Sequence, residues 1–169
     1  TAIAFFMLTG ELMTSATITD RLVALSRALI GRIRGGLAQV NVLVSMFFAG
    51  MNGSVVADTA TVGALVLPAM KKAGYPAAFS AAVTGVSSTI GGIIPPSIMM
   101  IVLANATEIS IASLFAAGIV PGILIGVVIM VINHYFAVKY NFERSDQPFS
   151  VRRAGKELYR SSFALLIPL

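Results

Sequence analysis

The chain has 169 residues, 57% of them hydrophobic and only 11% charged, with a mean hydropathy of +0.89. A soluble domain carries about 25% charged residues, so a water-facing globule is excluded and a membrane protein is indicated. Twelve Lys and Arg against seven Asp and Glu give a net charge of +5, and the lack of cysteine removes disulfides and thiolate metal sites.

Residues 1–18 read as the end of a transmembrane helix. Thr1 runs straight into the apolar stretch Ala2 to Met7 with no basic leader, and Glu11 follows, either facing a bundle interior or sitting near the helix end. Residues 19–36 differ in kind. Leu22, Val23, Leu25, Ala28, Leu29 and Ile33 share the segment with four arginines, and Thr19 or Asp20 can cap its start. That pattern suits an amphipathic helix on the membrane surface.

The positive charges orient the rest. Every Lys and Arg falls in one of three clusters: Arg21, Arg27, Arg32 and Arg34; Lys71 and Lys72; and Lys139, Arg144, Arg152, Arg153, Lys156 and Arg160. Basic residues concentrate on cytoplasmic loops, so all three are placed there and nucleic acid is not an expected partner. Residues 37–72 must then return to the side they left. Two full spans and a turn need more than roughly 40 residues, so a re-entrant hairpin is predicted, its first limb, Leu37 to Gly50, reaching about 21 Å. Two short tilted spans are the alternative.

Residues 75–107 cross outward, and the loop Asn105 to Ser113 carries Glu108 and no base, as an external loop should. Residues 114–138 cross back and end in an interfacial set, His134, Tyr135, Phe136, Tyr140 and Phe142. Residues 139–161 form a cytoplasmic segment, and residues 162–169 open a further span, so the chain is expected to be an internal piece of a longer protein. The expected fold class is an all-α polytopic membrane protein with a re-entrant hairpin and a discontinuous transmembrane helix.

Two breaks carry the chemistry. Gly50-Met51-Asn52-Gly53-Ser54 is a turn, because Asn and Gly tolerate positive φ, and Ser54 can cap the second limb with Asp58 in its opening turns. An ionisable residue at that depth marks a functional site or pairs within the bundle. The second break, Ser87 to Ser97, holds Gly91, Gly92, Pro95 and Pro96 and cannot continue a helix. Unwound backbone and half-helix C-termini offer carbonyl oxygens suited to Na⁺, and half-helix N-termini offer N–H groups suited to carboxylates. The Na⁺ candidates are Asn52, Gly53, Ser54, Asp58, Ser88, Thr89, Gly91 and Gly92. The substrate candidates are Asn52, Pro95, Pro96 and Ser97. Ser87 adds a further hydroxyl. His134 reads as interfacial. No P-loop, H-E-x-x-H, G-x-S-x-G or dinucleotide fingerprint occurs, and no enzyme is expected.

Gly10-Glu11-Leu12-Met13, Gly35-Gly36-Leu37-Ala38, Gly53-Ser54-Val55-Val56-Ala57-Asp58, Pro68 through Tyr75, Ile94-Pro95-Pro96-Ser97 and Ala117 through Gly122 occur in this order over nearly the whole chain. Together they resemble the large membrane subunit of TRAP transporters, the tripartite ATP-independent periplasmic transporters. At Asn52-Gly53-Ser54-Val55 the chain departs from the small or serine-rich tip of many members.

The resemblance implies one of two inverted repeats in an elevator-type, ion-transporter-superfamily-like architecture. Residues 37–72 and 75–107 would lie in a mobile transport domain, residues 19–36 in an arm and residues 114–138 in a scaffold. It implies Na⁺-driven import of organic acids (C4-dicarboxylates, sialic acid or sugar acids) across a bacterial or archaeal inner membrane. The implied partners are a periplasmic substrate-binding protein and a small membrane subunit. The competing readings are a single-component Na⁺/carboxylate symporter or antiporter, and an intramembrane enzyme using Asp58 with Glu11.

Overall fold

The computed structural model describes Ser26, Ile30 and residues 33–142. Residues 1–18 with Glu11, most of the 19–36 segment, and everything from Glu143 onward, including the 162–169 span, lie outside the described residues. Ser26 and Ile30 are helical and buried.

The described elements are helices: α1 (Gly36–Asn52), α2 (Val55–Lys72), α3 (Ala77–Ser88), a 3-10 turn (Thr89–Gly92), α4 (Ile98–Thr107) and α5 (Ile111–Lys139). α1 and α2 pack side by side as a hairpin whose two connecting residues, Gly53 and Ser54, do different work. Gly53 ends α1 in the left-handed region at φ 57°, its N–H bonded to Ala49 O at 3.2 Å, a conformation that glycine adopts at little cost. Ser54 starts α2 from extended backbone, its Oγ accepting from Ala57 N at 3.3 Å, so one orphan donor of the new helix is satisfied. Lys71 and Lys72 close α2, where cations suit the negative end of the helix dipole.

α1 is the centre of the assembly, in contact with α2, α3, α5 and the 3-10 turn. Val42, Val44, Phe48 and Ala49 are fully enclosed there, together with Val62 of α2 and Ile90 of the turn. Removing a Phe from such a site costs about 3–5 kcal/mol.

The helix break is tighter than its sequence suggests. Gly91 and Gly92 continue α3 as a 3-10 turn, with Ile93 N and Ile94 N both donating to Ile90 O at 2.9 Å. Only Ile93 to Ser97 leaves helical order, and it contains the cis Pro95–Pro96 peptide. Pro76 precedes α3, so this helix begins at Ala77 rather than at Tyr75. The loop between α4 and α5 is likewise shorter than the expected Asn105–Ser113: α4 runs to Thr107, and Ser110 caps α5 through Ser113 N at 3.5 Å.

α5 is the one described helix long and apolar enough to cross a membrane, with a mean hydropathy of 2.7 in its best window. It is buried along Gly118, Gly122, Gly126, Ile129, Asn133 and Ala137, a narrow stripe at helical spacing. A Cβ on Gly118 would stand 2.6 Å from Ile93 O, one on Gly122 2.5 Å from Ile94 Cγ1, and one on Gly126 2.5 Å from Met46 Sδ. The glycines therefore set how closely α5 approaches the helix break and α1.

Candidate ion and substrate site at the hairpin tip

The two sequence breaks meet. Gly53 O, at the hairpin tip, accepts from Ile98 N at 3.3 Å, the first residue of α4. A Cβ on Gly53 would collide with Pro96 O and stand 2.9 Å from Ser97 Cα. Behind it, the Cβ position of Gly91 is 3.7 Å from Ser54 C and O and from Val55 N, and that of Gly92 is 3.4 Å from Val55 Cγ2. Backbone thus lies on backbone on both sides of the tip. Gly53 meets two demands at once, a left-handed φ and the absence of a side chain.

Asn52 is buried at the tip. Its Oδ1 accepts from Ser54 N at 3.1 Å and shapes the turn, while its Nδ2 has no hydrogen-bond partner. Ser97 is fully buried and its hydroxyl is committed twice, donating to Gly92 O at 2.9 Å and accepting from Met100 N at 3.4 Å. It staples the two ends of the break and caps α4. Pro95 and Pro96 are half-buried beside the tip. Thr89 points away, exposed, its hydroxyl donating to Val86 O at 2.7 Å.

Asp58, one turn into α2, is completely buried, and neither carboxylate oxygen has a hydrogen-bond partner. The Ser88 and Ser45 hydroxyls face it. Neither reaches hydrogen-bond geometry with it; Ser88 Oγ donates to Thr84 O at 2.8 Å, and Ser45 Oγ shares a hydrogen bond with Ser87 Oγ at 3.1 Å. Burying an ionised carboxylate is costly unless it is paired or hydrogen-bonded. A buried carboxylate without a donor is a standing demand for a cation or a proton.

Around Asp58 runs a polar seam that sequence reading missed apart from Ser87 and Ser88. Asn41 Nδ2 donates to Thr84 Oγ1 at 2.7 Å, Thr84 Oγ1 donates to Ser80 O at 2.9 Å, and Ser87 Oγ lies 3.3 Å from Asn41 Oδ1. The signal was available: Ser80, Thr84, Ser87 and Ser88 recur at helical spacing on an otherwise apolar segment. Asn41 and Ser45, four apart on α1, face them. The seam supplies hard oxygen atoms within α1 and α3, and among the described residues no cluster of three His, Cys, Asp or Glu exists.

Comparison of the sequence places the chain in a known family. The family model described as "Tripartite ATP-independent periplasmic transporter, DctM component" matches residues 1–169. The chain is 46% identical over 136 residues to the C4-dicarboxylate TRAP transporter large permease protein DctM of Pseudomonas aeruginosa, covering 80% of this chain and 32% of that protein. It is 38% identical to the sialic acid TRAP transporter permease protein SiaT of Haemophilus influenzae, over 99% of this chain and 27% of the relative. It is also 38% identical to the 2,3-diketo-L-gulonate TRAP transporter large permease protein YiaN of Escherichia coli, over 99% of this chain and 39% of the relative. The chain therefore spans roughly a third of the length of these relatives.

Proposed function

We infer the function from one premise: the chain belongs to the DctM component family of tripartite ATP-independent periplasmic transporters. Its relatives are named as transporter permeases, so it is a piece of a membrane transport protein and not an enzyme. We propose that the full-length subunit imports an organic acid across a bacterial or archaeal inner membrane in symport with Na⁺. The cargo class is that of the relatives' names: a C4-dicarboxylate, sialic acid or a sugar acid. A periplasmic binding protein delivers the cargo and a small membrane subunit completes the assembly.

The observation that carries this reading is the fastening of the hairpin tip to the helix break beside a buried, unpartnered carboxylate. Asp58 and the Ser45 and Ser88 hydroxyls supply oxygen donors of the kind Na⁺ takes, with Asn52, Gly53, Ser54, Gly91 and Gly92 around the tip. Asn52 Nδ2, a donor without a protein acceptor, suits a substrate carboxylate, and the N-terminal end of α4 at Ser97 adds its positive dipole. Thr89 contributes through its backbone only, since its hydroxyl faces outward.

The hairpin re-enters the membrane from the cytoplasm in this reading, and the hairpin, α3 and α4 move as one body in an elevator step. The glycine stripe of α5 packs directly on α1 and the break, which supports placing α5 in that moving body instead of in the scaffold that the family resemblance implies. A rigid group of helices keeps the tip and the break in register while their exposure to the two sides alternates.

Uptake into proteoliposomes tests the proposal. The complete transporter should accumulate substrate only with a Na⁺ gradient and its binding protein, and uptake at an equal rate without the binding protein sinks the tripartite reading. Asp58→Asn should raise the Na⁺ concentration for half-maximal uptake by about ten-fold or more, the scale of one lost charge-assisted contact. For the topology, cysteines introduced at Thr19 and Ala73 should label from the same, cytoplasmic side.

A further inference from the structure

The corner where α2 turns into α3 and α5 ends lies at the opposite end of α2 from the hairpin tip. It holds an open cavity of about 570 Å³ lined by Lys72, Gly74, Pro76, Tyr140, Asn141 and Phe142. Its base is aromatic: the Phe142 ring lies 4.7 Å from Tyr75, 5.0 Å from Phe79 and 6.0 Å from Tyr140, and the Tyr140 ring stacks on Phe136 at 6.0 Å. Its rim is basic. Lys71 and Lys72 are exposed at the end of α2, and Lys139 Nζ stands 5.8 Å from the Tyr140 ring centroid. Arg34 Nη1 donates to Asn141 Oδ1 at 2.8 Å, which brings a fourth cation to the same edge.

These cations have no counter-charge among the described residues. The two described carboxylates are Asp58, in the first turn of α2 and so at its far end from Lys72, and Glu108, before α5 and so at its far end from Lys139. Tyr140 and Phe142 beside Lys72, with further cations close by, suit an anion that is itself amphipathic. A small soluble anion would engage the cations and leave the aromatic surface unused. Tyr and Lys at a membrane edge meet the level of lipid headgroups, where each basic side chain adds attraction for an anionic leaflet.

We propose that this corner binds the headgroup of an anionic phospholipid, with its phosphodiester at Lys72 and Lys139 and its glycerol edge against Tyr140 and Phe142. The proposal rests on the membrane placement of this corner given above, not on the identity of the cargo.

The test uses the complete transporter in nanodiscs of phosphatidylethanolamine with either phosphatidylglycerol or phosphatidylcholine, with retained lipid read by native mass spectrometry. Phosphatidylglycerol should be retained selectively, and Lys72→Gln and Lys139→Gln should each lower that selective retention about five-fold, with Lys72→Arg restoring it. Tyr140→Ala should lower it as well.

Equal retention by the wild type and the Lys72→Gln/Lys139→Gln variant overturns the site. So does displacement of the lipid by inorganic phosphate, which assigns it to a soluble anion. Na⁺-dependent uptake by the same preparations keeps the two proposals apart. Intact uptake without selective retention removes the lipid site alone. Selective retention without uptake removes the transport reading alone.

Discussion

α1 and α5 are both apolar helices, yet they solve opposite problems. α1 is enclosed along most of its length and carries Gln39, Asn41, Ser45 and Asn52 inward, where other helices meet them. α5 is longer and more apolar, and it turns most of its side chains outward, touching the rest of the described structure through a glycine stripe. Hydropathy alone ranks α5 as the better membrane element. The placement of polar atoms singles out α1 instead as the helix beside which the proposed site is built, because a polar group inside a membrane protein survives only where a partner or a purpose meets it.

The sharpest way to break this contrast is at the hairpin tip. Gly53→Val should abolish uptake with the protein still inserted, since the side chain meets Pro96 O and the backbone sits at φ 57°. Gly74→Ala is its control. It shares a positive φ, 79°, but an added Cβ there meets nothing within 4 Å, so only about 1 kcal/mol of backbone strain and near-normal uptake are expected. Uptake assays and membrane-fraction blots read both.

Next in size is the polar seam. Asn41→Leu strips Thr84 Oγ1 and Ser87 Oγ of a partner and should destabilise the purified protein by about 1–3 kcal/mol in denaturant titration. Wild-type stability would show that the seam matters to α1 no more than an apolar contact. Within the α5 stripe, Gly118→Ala should cost more than Gly126→Ala. The first new methyl meets the fixed backbone oxygen of Ile93, and the second meets the flexible end of Met46. Smallest of all is Val131→Leu on the exposed face of α5, where a change within about 0.5 kcal/mol is expected.

Local chemistry explains which parts were legible beforehand. The turn at Asn52-Gly53 and the break at Pro95-Pro96 announce themselves because Gly, Asn and Pro restrict or free their own backbone, wherever the chain goes next. Asp58 stood out for the same reason, as a lone charge in an apolar run. What could not be read was register between helices. That Asn41 meets Thr84, or that Gly118 lies on Ile93, depends on how α1, α3 and α5 dock, and no single segment encodes that. The shorter α4–α5 loop escaped because Ser110 serves as a cap, a role that is visible only once α5 is known to begin at Ile111.

The bond between Gly53 O and Ile98 N has a consequence for how such a protein can change over time. It is made of main-chain atoms, so the clasp between tip and break does not depend on which side chains surround it. Replacements at neighbouring positions can reshape the surface around the tip while the clasp stays closed.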